Sequence, residues 1–230
     1  LFRSLIVFPL AFNMTFSVAL IPNISEAINK GNIEAVKKYA QKSIFLSIII
    51  GITSTIGLYS YSEEIFSLLF SNSKNGAYLL KLSAFSIFFN VMNQTFCGIL
   101  QGIRKNKIPV LGMFWGMICK IFLNFVLISS NYFLENGIII STIISNIVMF
   151  VILYHEVKKN IKFKWKKFSF IIFVASLIMI FFSVILRKFF LDNWMNSNIS
   201  FVLSVIGGGI IYLIQMIWIN DIFGVPFNKM

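Results

Sequence analysis

Long apolar stretches with almost no charged residues are the feature that most restricts how this chain folds. A helix needs about 20 mostly apolar residues to cross a bilayer, because each residue adds about 1.5 Å across about 30 Å of hydrocarbon. Seven stretches meet this requirement: about residues 4–25, 43–62, 82–103, 108–130, 136–155, 168–188 and 199–220. The sequence therefore predicts an all-α, polytopic transmembrane helix bundle with about seven spans.

Composition and periodicity support helices in lipid. Hydrophobic residues make up 58% of the chain and charged residues 12%, against about 45–50% and about 25% in a soluble domain. The spans of a membrane β-barrel alternate with a period of two over about ten residues, and these stretches do not alternate. Helices are the other structure that satisfies the backbone inside a bilayer.

Basic residues are concentrated in alternate loops, and this pattern predicts the orientation in the membrane. Fourteen of the 20 fall on one side: Lys30, Lys37, Lys38, Lys42, Arg104, Lys105, Lys107, Lys158, Lys159, Lys162, Lys164, Lys166, Lys167 and Lys229. Such loops face the cytoplasm. We therefore expect a multi-pass protein of the plasma membrane with a cytoplasmic C-terminus.

The net charge of +12 has a local explanation in the same loops. Short basic loops beside spans bind anionic lipid headgroups. Their position predicts this lipid contact and argues against a nucleic-acid partner.

Two of the loops between predicted spans are also predicted to contain short helices. Asn32–Gln41 is predicted to be a short amphipathic helix along the cytoplasmic interface, with Asn32 as its N-cap. Residues 63–70 are predicted to form a short apolar helix on the opposite side.

Nothing in the sequence indicates an enzyme. The chain has one histidine, His155, and its two cysteines, Cys97 and Cys119, lack metal-ligand spacing. No carboxylate falls inside a predicted span, so a buried acid pair is missing. We expect no catalytic residue, no metal site and no cofactor.

Polar residues form a stripe along the third predicted span. Steps of three and four place them on one helix face: Ser83, Ser86, Asn90, Asn93, Gln94, Cys97 and Gln101. Such a stripe lines a hydrated cavity or makes hydrogen bonds between helices. Its length favours the cavity, with Asn90, Gln94 and Gln101 as candidate lining residues.

Lys120 lies near the middle of the fourth predicted span, with Asn124 one turn further on the same face. A lysine at that depth costs about 2.5–3.5 kcal/mol on insertion scales. Both residues are therefore predicted to face a cavity. The alternative is a structural lysine bonded to backbone carbonyls.

The first predicted span has a polar face of its own. Arg3 stands near its start, Asn13 and Ser17 share one side, and Pro9 lies between them. A proline inside a helix produces a kink. A kinked helix with a polar face is typical of a gate or a cavity wall, so these three polar residues are further candidates.

Three segments carry a family resemblance: "ALIPNISEAINKGN" (19–32), "GILQGIRKNKIPV" (98–110) and "KIFLNFVLI" (120–128). They resemble the stage V sporulation protein B family of polysaccharide and peptidoglycan-precursor transporters. That family belongs to the superfamily of multidrug and oligosaccharidyl-lipid exporters, with the lipid II flippases as relatives. The resemblance covers nearly the whole chain and is clearest over residues 9–155.

The resemblance implies a larger architecture of about fourteen helices in two lobes. It assigns residues 1–155 to part of the second lobe, with five spans, and residues 156–230 to a basic loop and two extra terminal spans. The chain begins with Leu1, and we interpret it as the C-terminal half of a longer protein. The missing N-terminal lobe is then an expected partner.

The resemblance also implies a role for Arg3 and for the terminal spans. In the lipid II flippases, arginines in a central cavity meet the substrate diphosphate, and Arg3 stands at a matching distance before Pro22. The neighbouring acidic residue of those relatives is Phe2 here. Their terminal helix pair flanks a hydrophobic groove for the lipid tail.

The function implied is a flippase or exporter of a lipid-linked oligosaccharide or a lipid II-like precursor, working by alternating access. The expected partner is a lipid-linked glycan diphosphate. Two alternatives stay open: an ion-coupled exporter of drugs or metabolites from the same superfamily, and a membrane scaffold that transports nothing.

Overall fold

The computed structural model describes residues 2–69, 74–128, 134–161, 166–192 and 197–223, and within these ranges all regular structure is helical. The helices are α1 (Phe2–Asn29), α2 (Ile33–Ser60), α3 (Ser62–Leu69), α4 (Lys74–Ser83), α5 (Phe85–Gly102), α6 (Lys107–Ile128), α7 (Leu134–Asn160), α8 (Lys166–Asp192) and α9 (Ser197–Phe223).

Five of the described helices are long and apolar enough to cross a membrane: Arg3–Asn29, Ile33–Ser60, Lys107–Leu127, Asn136–Asn160 and Phe170–Leu191. They coincide with the first, second, fourth, fifth and sixth predicted spans. The prediction of an all-α membrane bundle is confirmed.

The third and seventh predicted spans correspond to two further helices. The third is α5, with 18 residues and several polar side chains. It follows α4 across a single turn residue, Ala84, whose backbone is still helical (φ −55°, ψ −35°). The seventh is α9, in which Ile199–Gln215 is a shorter apolar segment.

The separate interfacial helix predicted at Asn32–Gln41 is wrong. These residues are the start of α2, which continues without a break to Ser60. Asn32 is an N-cap, as predicted, and its side chain accepts a hydrogen bond from the Ala35 N–H at 2.9 Å. The apolar face fails to lie on the interface because Val36 and Ala40 are buried in the protein core. The short helix predicted at 63–70 is confirmed as α3.

Two similar turns close the ends of α1 and α5. At Gly31 (φ +67°), the Asn32 N–H bonds the Ala27 carbonyl at 2.9 Å. At Arg104 (φ 64°), the Lys105 N–H bonds the Leu100 carbonyl at 2.8 Å. This is the usual helix-ending turn, in which the left-handed position favours glycine. Arg104 occupies it at a steric cost of roughly 1–2 kcal/mol.

The main core joins α1, α2, α5 and α7, with one residue from α8. Its residues are Ile24, Ala27, Val36, Ala40, Ile44, Phe45, Ile48, Met92, Phe96, Cys97, Ile99, Leu100, Phe150, Leu153, Val157, Ile161 and Ile172. Phe150 stacks on Phe96 with the ring centres 5.6 Å apart, and on Tyr154 at 5.8 Å. This core holds α5, the most polar of the central helices, in the middle of the bundle.

Glycine allows α6 to pack closely on α7. A Cβ added at Gly116 would lie 3.2 Å from the Ser145 carbonyl oxygen, and one at Gly112 would lie 3.4 Å from Leu153. The opposite face of α6 is apolar and exposed, with Phe125 81% and Phe122 65% accessible. That face suits lipid or further helices.

The helices α8 and α9 pack on each other and against α2. A Cβ at Gly208 would lie 3.0 Å from the Ser183 Cβ, and Ile172 of α8 belongs to the main core. The predicted division of the chain at residues 155 and 156 remains a prediction, although these two helices form a pair.

Candidate functional site

Asn13 of α1 is the centre of a buried polar cluster. Its side chain is 1% exposed. The Nδ2 atom lies 3.0 Å from the Val91 carbonyl, 3.1 Å from Gln94 Oε1 and 3.3 Å from Thr95 Oγ1. Its Oδ1 accepts a hydrogen bond from Ser47 Oγ at 3.0 Å. An amide carries two donor hydrogens, so several acceptors of α5 share them.

Hydroxyl groups complete this cluster, which we call the Asn13 cluster: Asn13, Ser17, Ser47, Gln94 and Thr95. The Thr95 hydroxyl lies 3.2 Å from that of Ser17 and also bonds that of Ser47. Ser17, Ser47 and Thr95 are each no more than 5% exposed. The cluster therefore links α1, α2 and α5 through side chains that are shielded from lipid.

The polar stripe of the third predicted span, which runs from the end of α4 along α5, divides between two environments. Ser83, Ser86, Asn93 and Cys97 are buried, and Asn93 donates to the Asn146 carbonyl of α7 at 3.1 Å. Asn90 and Gln94 are half-buried, and Gln101 is exposed. Hydrogen bonding between helices thus applies to Asn93, and cavity lining by Asn90, Gln94 and Gln101 remains a prediction.

Asn124 of α6 belongs to a second polar contact, between α6 and α7, and Lys120 lies one turn before it on α6. Both side chains are half-buried. The Ser141 hydroxyl of α7 donates to Asn124 Oδ1. Within the part of the chain that the structure describes, the ammonium of Lys120 has no hydrogen-bond or ion-pair partner. An ammonium without a carboxylate or carbonyl partner is available to an anionic group.

The predicted site residues do not all come together. Asn13, Ser17 and Gln94 meet in the Asn13 cluster, while Asn124 contacts Ser141 of α7 and Lys120 contacts none of them in the described residues. Arg3 is exposed near the start of α1 and contacts none of the others in the described contacts. Asn13 and Ser17 act here as links between helices, because their polar atoms are used by α2 and α5.

An apolar groove of about 640 Å³ separates α1–α3 from the α8–α9 pair. Its lining is mostly hydrophobic: Leu5, Phe8, Pro9, Phe12, Ile49, Ile50, Thr53, Ser54, Gly57, Leu58, Tyr61, Ile65, Met179, Ser183, Phe201, Val205, Gly208, Gly209 and Tyr212. The resemblance implies a groove at this helix pair. A lipid tail as its occupant remains a prediction.

Polar contacts hold the two walls of the groove together. Toward one end, Thr53 of α2 donates to Tyr212 Oη of α9 at 2.6 Å, and Thr53 lies 3.4 Å from Ser176 Oγ of α8. At the other end, the Arg187 guanidinium bonds the Glu64 carboxylate of α3. Sequence reasoning missed these residues, because a contact between distant helices leaves no periodic pattern in either helix.

The end of the bundle opposite the Glu64–Arg187 ion pair is basic. Arg104 donates to Asn29 Oδ1 and so connects the two glycine-type turns. Lys105 forms an ion pair with Glu156 of α7. These contacts bring the α1–α2 turn, the α5–α6 turn and the end of α7 together at this end of the bundle. The grouping matches the predicted loops, and the expected lipid contact of these residues remains a prediction.

The described residues contain no group of three or more His, Cys, Asp or Glu side chains that are placed to hold a metal ion. The absence of a metal and a cofactor remains a prediction. The polar groups described above are amides, hydroxyls, two ion pairs and the cations Lys120 and Arg3.

Comparison with known proteins finds relatives among membrane proteins. The family model described as "Lipid II flippase MurJ" matches residues 4–206. The lipid II flippase MurJ of Bacillus subtilis (strain 168) is 24% identical over 225 residues, covering 92% of this chain and 41% of that protein. The uncharacterized membrane protein YabM of the same organism is 26% identical over 117 residues, covering 51% of this chain and 22% of that protein.

Solved structures share the fold. A lipid II flippase MurJ in an inward closed conformation has a TM-score of 0.75 at 18% identity, covering 94% of this chain and 45% of that one. An inward-facing multidrug resistance transporter of the MATE family has a TM-score of 0.60 at 18% identity, covering 87% and 51%. The chain thus spans about two fifths of the curated relative and less than half of the solved flippase.

Proposed function

We propose, since this chain belongs to the lipid II flippase MurJ family, that it works in a membrane flippase for a lipid-linked precursor such as lipid II. The observation that carries the proposal is the family match over residues 4–206. The family consists of multi-pass membrane transporters and is not an enzyme family. The finer assignment to the stage V sporulation protein B branch is part of the proposal.

The proposed mechanism moves the polar headgroup between two sets of helices while the polyprenyl tail stays in lipid. Alternating access by rocking of two lobes is the general mode of such transporters. In this proposal, the cavity side of this chain is formed by Asn90 and Gln94 of α5 and by Lys120 of α6. A second set of helices faces them.

Cations have a specific use in this mechanism. A diphosphate carries negative charge and accepts several hydrogen bonds, and charge-assisted hydrogen bonds are roughly twice as strong as neutral ones. Lys120 is partnerless among the described residues, and Arg3 is exposed near the start of α1. Both are proposed to contact the diphosphate at different stages of its passage.

The ion-coupled exporter fits less well. Coupling to Na⁺ or H⁺ relies on carboxylates inside the membrane, and the predicted spans of this chain contain none. The MATE-family structure also has a lower TM-score than the flippase structure.

Reconstitution tests the proposal directly. The full protein is placed in liposomes with fluorescent lipid II, and exposure of the label to an impermeant quencher is followed in time. We expect translocation with the wild type and none with empty liposomes. In cells depleted of their own flippase, restoring the protein should reverse the accumulation of precursor on the cytoplasmic leaflet. Failure in both assays contradicts the proposal.

Cysteine labelling separates a flippase from a scaffold. In a background with Cys97→Ser and Cys119→Ser, single cysteines replace Asn90, Gln94 or Lys120. A transporter with a wet cavity predicts reaction with a small water-soluble maleimide at all three positions. A cysteine at buried Ser86 is the protected control. Uniform protection favours the scaffold.

A further inference from the structure

Two neighbouring donors on α6 have no acceptor. The ammonium of Lys120 and the Nδ2 group of Asn124 make no hydrogen bond or ion pair with any residue that the structure describes. The two residues are four positions apart, so their side chains are neighbours on one helix face. Lys120 lies roughly 20 Å along α6 from Lys107, within a hydrocarbon core of about 30 Å. Donors at this depth are costly without a partner, which indicates an acceptor from outside the described residues.

The packing of α6 on α7 shows where these donors lie. A Cβ added at Gly116 would be 3.2 Å from the Ser145 carbonyl oxygen of α7, and Asn124 bonds Ser141 of the same helix. Lys120 is four residues from each of these two contacts along α6, and it is half-buried. It therefore lies along the seam between α6 and α7, partly shielded and partly open.

Ser141 fixes the orientation of the Asn124 amide. The side chain of Ser141 is fully buried, and its hydroxyl donates to Asn124 Oδ1 while also lying 2.9 Å from the Ile138 carbonyl. This bond turns the oxygen of the amide towards α7. The two hydrogens of the Nδ2 group are then directed away from Ser141 and stay free. The amide is thus held as a donor one turn from a cation.

The chemistry of the two groups defines the ligand. A lysine ammonium has three donors and no acceptor, and the amide oxygen of Asn124 already accepts from Ser141. The pair therefore matches an oxyanion, and a phosphate offers several acceptor oxygens whose bonds to a charged donor are strong. No carboxylate lies in the predicted spans of this chain to compete for Lys120.

We propose that Lys120 and Asn124 form a two-donor site for one phosphate of a lipid-linked diphosphate, with Ser141 as a positioning residue. Lys120 Nζ and Asn124 Nδ2 donate to oxygens of the same phosphate, while Ser141 holds the amide in place. The site rests on the proposed function, because its ligand is the diphosphate of that substrate. It gives Asn124 a binding role and Ser141 a positioning role.

Binding of farnesyl diphosphate, a short lipid diphosphate, tests the site without transport. Its affinity for the full protein in mild detergent is measured by isothermal titration calorimetry, with farnesol and phosphatidylglycerol as comparison ligands. We expect farnesyl diphosphate to bind more tightly than both. Lys120→Met and Asn124→Ala should each weaken its binding roughly tenfold, because each removes a hydrogen bond that involves a charged group. Neither variant should change the binding of farnesol.

Asn124→Asp separates ligand binding from helix packing. The carboxylate keeps the size of the side chain and the acceptor for Ser141, but it replaces the amide donor with a negative charge beside Lys120. Farnesyl diphosphate binding should fall at least tenfold, roughly the effect of a lost charge-assisted bond. The melting temperature should equal or exceed that of the wild type, because Lys120 gains an ion-pair partner. A contact that only packs α6 on α7 predicts unchanged binding.

A double-mutant cycle tests the positioning role of Ser141. Ser141→Ala should weaken farnesyl diphosphate binding roughly threefold, because a freely rotating amide loses conformational entropy on binding. In the Asn124→Ala background, the same change should have no further effect. Thr142→Ala is the matched control, since the Thr142 hydroxyl is exposed and bonds the Ile138 carbonyl of its own helix. Additive effects of Ser141→Ala and Asn124→Ala contradict the positioning role.

The outcomes also distinguish this site from the proposed function. Farnesyl diphosphate binding that Lys120→Met and Asn124→Ala leave unchanged contradicts the site, even where liposomes show lipid II translocation. Binding that these variants weaken, in a protein that translocates no lipid II, supports the site and contradicts the flippase. Equal affinity for phosphatidylglycerol assigns the two donors to phospholipid headgroups and overturns the proposed ligand. No binding of farnesyl diphosphate to the wild type overturns the site itself.

Discussion

Asn13 shows why a polar residue in an apolar helix has two different meanings. The sequence marks it as polar on a helix that crosses the membrane, and this pattern predicts a cavity wall. The structure surrounds it with acceptors on α5 and a donor on α2. Whether such a residue meets water or another helix depends on which helices are neighbours, and sequence periodicity does not contain that information.

Truncating Asn13 should therefore destabilise the bundle. Asn13→Ala removes the hydrogen bonds that the amide makes with the Ser47 hydroxyl and with the acceptors of α5, while Ser47 keeps its bond to the Ser43 carbonyl. Hydrogen bonds between membrane helices contribute about 0.6 kcal/mol each. We expect a loss of about 1–3 kcal/mol in unfolding free energy, measured by denaturant titration in detergent. Asn23→Ala, on the exposed face of the same helix, should change it little. Equal effects of the two variants contradict the role of the cluster.

Replacing Lys120 should lower activity without lowering stability. Its insertion costs about 2.5–3.5 kcal/mol, and no described partner offsets that cost. Lys120→Met keeps the length of the side chain and removes the charge, so we expect equal or higher stability. The proposed contact with a diphosphate predicts a loss of lipid II translocation of roughly tenfold or more. Lys107→Met, at the exposed start of α6, is the control for both measurements. Loss of stability in Lys120→Met indicates a structural lysine instead.

At the scale of the helices, glycine controls how closely α1 and α5 approach. A Cβ at Gly98 would lie 2.7 Å from the Ser17 carbonyl oxygen, and one at Gly102 would lie 2.8 Å from the side chain of Ile24. Small residues in the interface let membrane helices pack at short distance. This approach also brings Thr95 and Gln94 within reach of Asn13.

Gly98→Ala should consequently cost about 1–3 kcal/mol of stability, because the added methyl meets backbone that has no room to move. Gly57→Ala on α2 is the matched control, since a Cβ there meets nothing within 4 Å. An alanine in an unhindered helix position is expected to stabilise by about 0.5–1 kcal/mol. Thermal unfolding of the two variants compares them, and a tolerated alanine at Gly98 contradicts the close packing of α1 and α5.

The positions of most membrane-spanning helices could be predicted from the sequence, for a physical reason. Hydrocarbon thickness sets the length of a span, so stretches near residues 108–130 and 136–155 predicted α6 and α7 closely. The missed features depend on packing between distant residues. The start of α2 is amphipathic like an interfacial helix, but Val36 and Ala40 face a core made by other helices. The contact between Thr53 and Tyr212 joins residues 159 positions apart.

At the scale of the whole molecule, the two ends of the bundle have different chemistry. One end joins the turns at Gly31 and Arg104 to the end of α7 and is rich in lysine. The other end holds α3 and the ion pair of Glu64 and Arg187. The positive-inside rule assigns the lysine-rich end to the cytoplasm, which is the origin of the predicted C-terminal orientation.

Site-directed labelling in intact cells tests this orientation. In the cysteine-free background, Lys38→Cys and Lys158→Cys place a thiol at the lysine-rich end, and Lys188→Cys places one at the other. All three positions are exposed, so access to a membrane-impermeant maleimide depends on the side of the membrane. We expect Lys188→Cys to react in intact cells and the other two only after the membrane is permeabilised. The reverse labelling pattern would show that the lysine-rich end lies outside the cytoplasm and would contradict the predicted orientation.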